Sequence, residues 1–347
     1  MKNSKTDKTS KRKKEHIELC LSDKVSFKEK TNGFDYYDFK HYAITEVVPE
    51  EINFQTKFLG KKINFPFLIS CMTGGTVKAE SINAKLALAA EQLKIPVGVG
   101  SQRQALENDN LISTYKIIRK NAPTVPLLAN IGAAQAIQQK NNLRKLVDMV
   151  EADAIVIHIN PLQELLQPEG EPNFKGLLKS IEKVVKIIGV PVIAKEVGSG
   201  ISAEAAKKLL ESGVKGIDVA GAGGTSWAGV EILRRKENSK NVFWDWGLPT
   251  SFCIKEIFKL KKKYKFALIG SGGINSGIDA AKAFALGSDL VASARIILQE
   301  LDKKDVNGVV ELIQNWFSTV RNVMFLTGSS TLKEFKKNKI IRKDFLY

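Results

Sequence analysis

From about residue 65 onward, short β-prone apolar runs alternate with longer segments in which apolar residues recur at helical spacing. The apolar runs cover 67–70, 96–99, 126–129, 154–159, 191–194, 216–219, 266–269 and 289–291. Helical spacing is clearest over 84–93, 143–150, 177–188, 203–211 and 278–286. Strict alternation requires parallel strands joined by helices, and their nearly continuous apolar character fits burial on both faces. Eight such units predict one closed (β/α)8 barrel, the TIM-barrel architecture, in the α/β class.

The same pattern divides the chain into three parts. Residues 1–15 are basic and polar without periodicity, which predicts a flexible tail unless a ligand or a neighbouring subunit orders it. Residues 16–64 form an extension that leads into the barrel, and residues 65–347 make up the barrel. The longest interval between predicted strands separates the sixth from the seventh. It contains a WDWG stretch at 244–247, which predicts a substantial loop over the active site.

The composition favours anionic ligands without specifying which. Its 53 Lys and Arg against 37 Asp and Glu give a formal net charge of +16, which suits partners from nucleic acids to small phosphorylated molecules. Much of the excess lies in lysine runs typical of a solvated surface, and no basic stripe is interleaved with aromatic residues. Three scattered cysteines fit a reducing cytoplasm. Without a basic stripe of that kind, we do not expect a nucleic acid as a partner. No apolar run approaches the roughly 20 residues of a membrane span and no secretory signal is present, so we do not expect a membrane partner either.

Glycine and polar residues follow seven of the eight predicted strands. In a barrel of this kind the active site lies at the carboxyl ends of the strands, so these residues are expected to surround one pocket. They occupy 71–75 (CMTGG), 98–103 (GVGSQR), 130–133 (NIGA), 158–164 (HINPLQE), 195–198 (KEVG), 220–227 (AGAGGTSW) and 270–274 (GSGGI). Agreement among so many strand ends favours a functional pocket over independent surface loops.

The glycine segment 270–274 and the segment 289–295 (DLVASAR) follow or contain the last two predicted strands. Backbone N–H groups converge on a phosphate at this place in many barrels, so we expect a phosphorylated ligand. Lys195 would bring a positive charge to the pocket, which suits the anionic reduced ring of a flavin. The alternative is a lysine neutralised by its neighbour Glu196.

His158 and Asn160 lie two residues apart on a predicted strand and therefore share a face. Glu164 follows, and Mg²⁺ is often held by one or two carboxylates together with substrate phosphates. Each residue also has an ordinary interpretation, a structural hydrogen bond for the histidine and a solvated loop position for the glutamate. Taken alone, Arg12 and Lys13 likewise belong to a solvated basic tail.

Taken together, these motifs resemble the type 2, FMN-dependent family of isopentenyl-diphosphate delta-isomerases over nearly the whole chain. The matching segments, in order, are 12–17 (RKKEHI), 69–75 (ISCMTGG), 98–103, 130–133, 158–164 with 168–170 (PEG), 195–198, 218–227 (DVAGAGGTSW), 245–250 (DWGLPT) and 271–274 (SGGI). The resemblance implies interconversion of isopentenyl and dimethylallyl diphosphate in isoprenoid biosynthesis. It also implies FMN in the barrel mouth, Mg²⁺ on the diphosphate, NADPH as the reductant of the flavin, and a homo-oligomer, a tetramer or an octamer.

The resemblance further implies roles for particular residues. It implies FMN contacts from Cys71, Met72, Thr73, Ser101, Asn130, Lys195 and Thr225, and a phosphate site made by Gly273, Ile274, Asn275, Ala294 and Arg295. Around the substrate it implies Arg12, Lys13, Ser101, Gln102, Arg103, His158 and Asn160. Gln163 would lie beside the reacting carbons as the catalytic residue, and Glu164 would bind Mg²⁺. The basic tail would then belong to the substrate site.

Two positions depart from the family pattern. Asn275 stands where the family commonly has arginine, which weakens charge pairing with the phosphate but leaves the backbone turn intact. Cys71 replaces a smaller residue.

Two related flavin or nucleotide barrels fit less well. A 2-hydroxy-acid oxidase needs a histidine base with arginine partners after the sixth strand, and a nucleotide dehydrogenase needs a cysteine there. The segment 221–227 contains none of these residues. A basic nucleic-acid-binding protein would explain the charge but not the strand-end motifs.

Overall fold

Eight parallel strands close into a barrel, which confirms the predicted architecture. The computed structural model describes residues 2–138, 142–235, 242–337 and 339–346, with side chains from residue 11 onward. The barrel strands are β1 Phe67–Ile69, β2 Val97–Gly98, β3 Leu127–Gly132, β4 Ala154–His158, β5 Val192–Lys195, β6 Gly216–Asp218, β7 Ala267–Ser271 and β8 Leu290–Ser293. Strand β8 pairs with β1 in the register Val291 to Phe67, and this pairing closes the ring.

Helices cover the outside of the barrel. In chain order the described helices are α1 Lys2–Leu21, α2 Val77–Leu93, α3 Arg103–Glu107, α4 Ser113–Asn121, α5 Ala133–Gln138, α6 Leu143–Val150, α7 Pro161–Leu166, α8 Leu177–Ile187, α9 Ala203–Glu211, α10 Trp227–Arg235, α11 Thr250–Phe258, α12 Gly277–Ala285, α13 Arg295–Leu326 and α14 Leu332–Phe335. The five predicted helices correspond to α2, α6, α8, α9 and α12. Ser202 and Ser276 cap α9 and α12 by accepting the N–H of the third residue beyond, a common way of satisfying helix N-termini. Helix α13 is kinked at Asp305.

Two hydrophobic layers hold the barrel together. The outer layer lies between the strands and the helices and includes Phe67, Ile131, Ile217, Phe284 and Phe317. The inner layer fills the barrel with side chains from alternate strand positions, and residues of the hairpin Thr56–Phe58 and Lys61–Ile63 pack against it. The interior is therefore a packed core, and space for a ligand remains at the strand ends.

The extension before the barrel is tied to the end of the chain. Strand Tyr37–Phe39 pairs antiparallel with Ile340–Arg342, with Asp38 opposite Ile341. No helix within the described residues is both long and apolar enough to cross a bilayer.

The N-terminal segment differs from the sequence-based expectation of a tail without regular structure. Its backbone is helical over Lys2–Leu21, and its side chains are described from residue 11. Ile17 is buried, and polar contacts of neighbouring residues attach the helix to the barrel. The sequence shows no apolar periodicity for this helix, because polar groups rather than an apolar face attach most of it to the barrel. Residue 1, the side chains of residues 2–10 and residues 236–241 of the predicted active-site loop lie outside the described part.

Candidate active site

Two adjoining cavities open at the carboxyl ends of the strands, where the sequence predicted the site. Counting the space that is open to solvent, the larger has a volume of about 1050 Å³ and the smaller about 660 Å³. Their shared wall consists of Cys71, Lys195, Val197 and Trp227. Because the two cavities share this wall, a ligand bound in one would lie beside a ligand bound in the other.

The smaller cavity is lined by the glycine-rich ends of β6, β7 and β8, including Gly224, Gly273 and Ala294. The first two segments lie so close that a Cβ on Gly224 would be 2.5 Å from the backbone nitrogen of Gly273. Asn32, from the extension, donates from Nδ2 to the Gly273 carbonyl at 2.6 Å. Helix α13 begins at this cavity, and Ala294 at its N-cap provides no side-chain cap. Backbone N–H groups at a helix start favour anions.

The residues of this cavity fit a phosphate. Arg295 lines it and has a buried Nη1 atom without a hydrogen-bond partner among the described residues. Burial lowers the pKa of the Arg295 guanidinium, although Cys20 and Asp23 act to raise it. Thr225 and Asn275 also line the cavity. Ile274 instead packs in the outer core, and its carbonyl accepts a hydrogen bond from Ser293 Oγ at 2.9 Å.

Lys195 ends β5 and faces both cavities. Its Nζ donates to the backbone carbonyl of Glu196 at 2.9 Å and lies 3.6 Å from Oδ2 of Asp218. The Glu196 carboxylate does not neutralise it, because Oε2 accepts the backbone N–H groups of Val197, Gly198, Ser199 and Gly200 at 2.5–3.3 Å. Asp218, on the next strand, is therefore the charge partner of Lys195.

The larger cavity is strongly basic where helix α1 meets the barrel. Arg12, Lys13 and Arg103 line it. Lys13 Nζ donates to the carbonyl of Gly74 and to Tyr115 Oη at 3.1 Å. Burial, followed by repulsion from Arg12, lowers the pKa of Lys13 to about 7. Nε of Arg12 is buried without a hydrogen-bond partner among the described residues. Arg103 already pairs with Glu107 at 3.0 Å and with Glu171 at 3.2 Å, so a bound anion would mainly compensate Arg12 and Lys13.

His158 ends β4 and is held by the neighbouring strand. Its Nδ1 lies 2.7 Å from Oδ1 of Asn130. Burial, followed by repulsion from Lys195 and Arg12, lowers the pKa of His158 to about 4, so its ring is neutral at pH 7. Asn130 sits within β3, because that strand continues past its predicted end at residue 129. Asn130 and His158 both line the larger cavity.

Gln102 does not line either cavity, although the resemblance implied a substrate contact. Its side chain is buried, donating from Nε2 to the carbonyl of Leu146 at 3.0 Å and accepting the N–H of Asn130 at 2.9 Å. Gln102 thus ties α6 to β3, whereas its neighbours Ser101 and Arg103 line the larger cavity.

A short polar cluster follows β4 and continues into α7. Asn160 donates from Nδ2 to Gln163 Oε1 at 3.0 Å and to Glu164 Oε1 at 3.1 Å. The other Glu164 oxygen accepts the N–H of Glu171 at 2.8 Å. Oδ1 of Asn160 is buried and has no hydrogen-bond partner within the described residues. This oxygen and the Glu164 carboxylate are ligands that suit Mg²⁺.

Across the described residues, no group of three or more His, Cys, Asp or Glu side chains forms a preassembled metal site.

The structure adds a buried glutamate that sequence reasoning missed. Glu231 of α10 has a fully buried side chain; it contacts His16 Nε2 at 2.9 Å, Arg234 Nη1 at 2.5 Å and Gln163 Nε2 at 3.4 Å. Burial acts to raise its pKa, but the bonds from His16 and Arg234 outweigh burial and lower it. Nothing local indicates this contact, since His16 precedes Glu231 by 215 residues.

The barrel fold and a glycine-rich cavity suited to a phosphate fit the class of flavin-binding barrels. The chain matches the family model described as FMN-dependent dehydrogenase over residues 6–136 and 129–342, and it belongs to that family. Within it, the chain belongs to the isopentenyl-diphosphate delta-isomerases. It is 43% identical to the protein of that name from Chlorobium phaeobacteroides, with 96% of each chain covered. It is also 43% identical to that from Nostoc sp., with 98% of each covered.

Solved structures with this fold include more distant proteins. A mandelate oxidase variant with an FMN adduct superposes with a TM-score of 0.64 at 16% identity, covering 92% of this chain and 93% of the other. A flavocytochrome b2 variant with sulfite bound gives 0.68 at 20% identity, covering 92% and 80%. At such identities the likeness concerns the fold.

Proposed function

We propose that this protein interconverts isopentenyl diphosphate and dimethylallyl diphosphate through a 1,3-allylic proton shift in isoprenoid biosynthesis. The observation that carries the proposal is the similarity to isomerases of that name over nearly the full length of both chains. The adjoining phosphate-binding and basic cavities support it, because a flavin nucleotide and a diphosphate both bring anionic groups. The reaction moves a proton between two carbons and leaves the oxidation state of the substrate unchanged.

FMN would place its phosphate in the smaller cavity and extend past the shared wall into the larger one. The phosphate would be held by the N–H groups of the turn at Gly273, the start of α13 and the Arg295 guanidinium. Cys71, Met72, Thr73, Ser101, Asn130 and Thr225 would contact the rest of the cofactor, and Lys195 would lie near its anionic end. When bound and reduced, FMN supplies the acid and base chemistry for the allylic shift.

The diphosphate would be bound by the basic groups of the larger cavity. Helix α1 would supply Arg12 and Lys13, so the N-terminal segment would form part of the substrate site. Arg103, Ser101 and the polar end of β4 would complete the binding groups. Anion binding would favour a proton on His158, because a nearby negative charge stabilises the imidazolium. The neutral ring of the free protein would then become a donor to the diphosphate.

Gln163 would orient the hydrocarbon part of the substrate beside the reacting carbons. Its amide does not titrate, so its contribution is placement rather than proton transfer. Glu231 would fix that amide through the contact at 3.4 Å, while His16 and Arg234 keep Glu231 charged. Glu164 would bind Mg²⁺, with the diphosphate and water completing the coordination.

Several finer features belong to the same proposal. NADPH would act only as the reductant of the flavin. The protein would work as a homo-oligomer, a tetramer or an octamer, in the cytoplasm.

The test is an anaerobic assay with purified protein, FMN, NADPH and Mg²⁺. We expect a yellow protein with a flavin spectrum that converts isopentenyl diphosphate into dimethylallyl diphosphate. In parallel incubations without NADPH, lactate and mandelate should leave the flavin oxidised. Flavin reduction by these hydroxy acids without isomerisation of the diphosphate would reject the proposal in favour of an oxidase.

A further inference from the structure

Lys195, in the shared wall of the two cavities, has a buried charge partner, Asp218, that has no role in the proposed reaction. Lys195 and Asp218 occupy paired positions on β5 and β6, and their charged atoms are 3.6 Å apart. The residues are 8% and 1% exposed, respectively. Lys195 lines both cavities, whereas Asp218, its neighbour on the next strand, lines neither. Asp218 therefore has no direct contact with a ligand in either cavity.

Ser271 holds Asp218 in its acceptor role. Its hydroxyl donates to Oδ1 of Asp218 and accepts the N–H of Ala220 at 3.1 Å. Because the incoming N–H occupies the oxygen as an acceptor, the hydroxyl hydrogen is directed at the carboxylate. Removing two charges from water is costly, and a packed apolar pair is often as stable. Stability alone therefore does not explain why Lys195 and Asp218 form a buried ion pair.

The two charges act with opposite sign on groups in the cavity. Burial raises the pKa of the Cys71 thiol to about 11, with Lys195 acting to lower it and Asp218 to raise it. The electrostatic field at this wall therefore combines opposing contributions from the Lys195 cation, which lines the cavities, and the Asp218 anion, which does not. Neutralising the anion would leave the cation uncompensated.

We propose that Asp218 is a positioning residue that holds the Lys195 ammonium at the cavity wall and cancels part of its charge there. Asp218 thereby lowers both the reduction potential of the bound flavin and the affinity of its ring for anions. The inference rests on the FMN site of the proposed function. It is independent of which substrate the larger cavity takes.

Asp218→Asn keeps the side-chain shape and removes the charge. In the FMN-loaded protein, we expect sulfite to bind the oxidised flavin about tenfold more tightly, because the adduct carries the sulfite's negative charge onto the ring. The two-electron midpoint potential should become more positive by about 30 mV, the equivalent of a tenfold change. Asp148→Asn, a matched change in an exposed ion pair with Arg144, should alter neither value. Asp218→Ser provides a second neutral variant.

A Lys195→Met background separates an action through the lysine from a direct one. There, Asp218→Asn should change sulfite affinity and potential much less than in the wild-type background, because the ammonium that Asp218 holds in place is absent. An equal shift in both backgrounds would overturn the proposal, as would unchanged sulfite affinity and potential in both neutral variants. Loss of FMN from both variants would also overturn it, since Asp218 would then serve FMN binding or the fold. Failure of the isomerase assay with the sulfite pattern intact would reject only the proposed reaction.

Discussion

Replacement of Gly224 by alanine tests the phosphate site at its tightest point. The added Cβ would lie 2.5 Å from the Gly273 nitrogen and 3.2 Å from its Cα. Ordinary van der Waals contact begins at 3.4 Å, so the two segments must separate by about 0.9 Å. The Gly273 N–H belongs to the turn proposed to bind the FMN phosphate.

The magnitude follows from that displacement. An N–H···O bond of about 2.9 Å lengthened by 0.9 Å falls outside hydrogen-bonding range. A hydrogen bond to a charged group contributes about 1.5–3 kcal/mol. Its loss weakens binding by about 10- to 150-fold, since about 1.4 kcal/mol corresponds to a factor of ten. We therefore expect the FMN dissociation constant of Gly224→Ala to rise by one to two orders of magnitude.

The assay is titration of apoprotein with FMN, followed by quenching of flavin fluorescence. Gly176→Ala is the control: its φ is +80°, but a Cβ there meets nothing within 4 Å and the residue lines neither main cavity. This control should lose stability, about 1 kcal/mol from the left-handed backbone, and keep its FMN affinity. Unchanged FMN affinity in Gly224→Ala would refute the phosphate site at this turn.

Three further predictions concern the larger cavity. Glu164→Gln should raise the Mg²⁺ concentration needed for half-maximal turnover at least several-fold while FMN stays bound; an unchanged Mg²⁺ dependence would remove Glu164 from the metal role. Gln163→Ala should lower kcat more than it raises KM, since the amide is proposed to act at the reacting carbons; an effect confined to KM would limit it to substrate binding. Lys13 has a folded-state pKa of about 7, so it is charged below that pH and neutral above it. Consequently kcat/KM should fall as pH rises through 7, and Lys13→Arg should flatten this fall. Lys14→Arg, at an exposed position, should keep the wild-type profile; persistence of the fall in Lys13→Arg would assign it to another group.

The barrel could be predicted because its sequence pattern is local. Each strand is a short apolar run, and each is separated from the next by a helical segment or a loop. The end of β3 was placed too early because Asn130 is polar, yet it remains in the ladder opposite Val156. A polar residue at a strand end and one inside the barrel mouth look alike in sequence.

The candidate site was predicted only in part, because several of its contacts depend on how the folded chain places side chains and distant segments. Ser101, Gln102 and Arg103 are consecutive, and only the fold decides that the middle residue turns toward α6. Glu231 was missed because its partner His16 lies at the other end of the chain. Pairing of Lys195 with adjacent Glu196 was considered only as an alternative, and the structure instead supplies Asp218 from the next strand.

The ratio of isomer formed to NADPH oxidised, measured anaerobically with limiting NADPH, tests the proposed reaction most directly. If the protein catalyses a proton shift, one reduction of FMN supports many turnovers, and dimethylallyl diphosphate accumulates far beyond the NADPH supplied. Product formed in equal amount to the NADPH oxidised, or flavin reoxidised by the substrate itself, would contradict the account by showing net electron transfer.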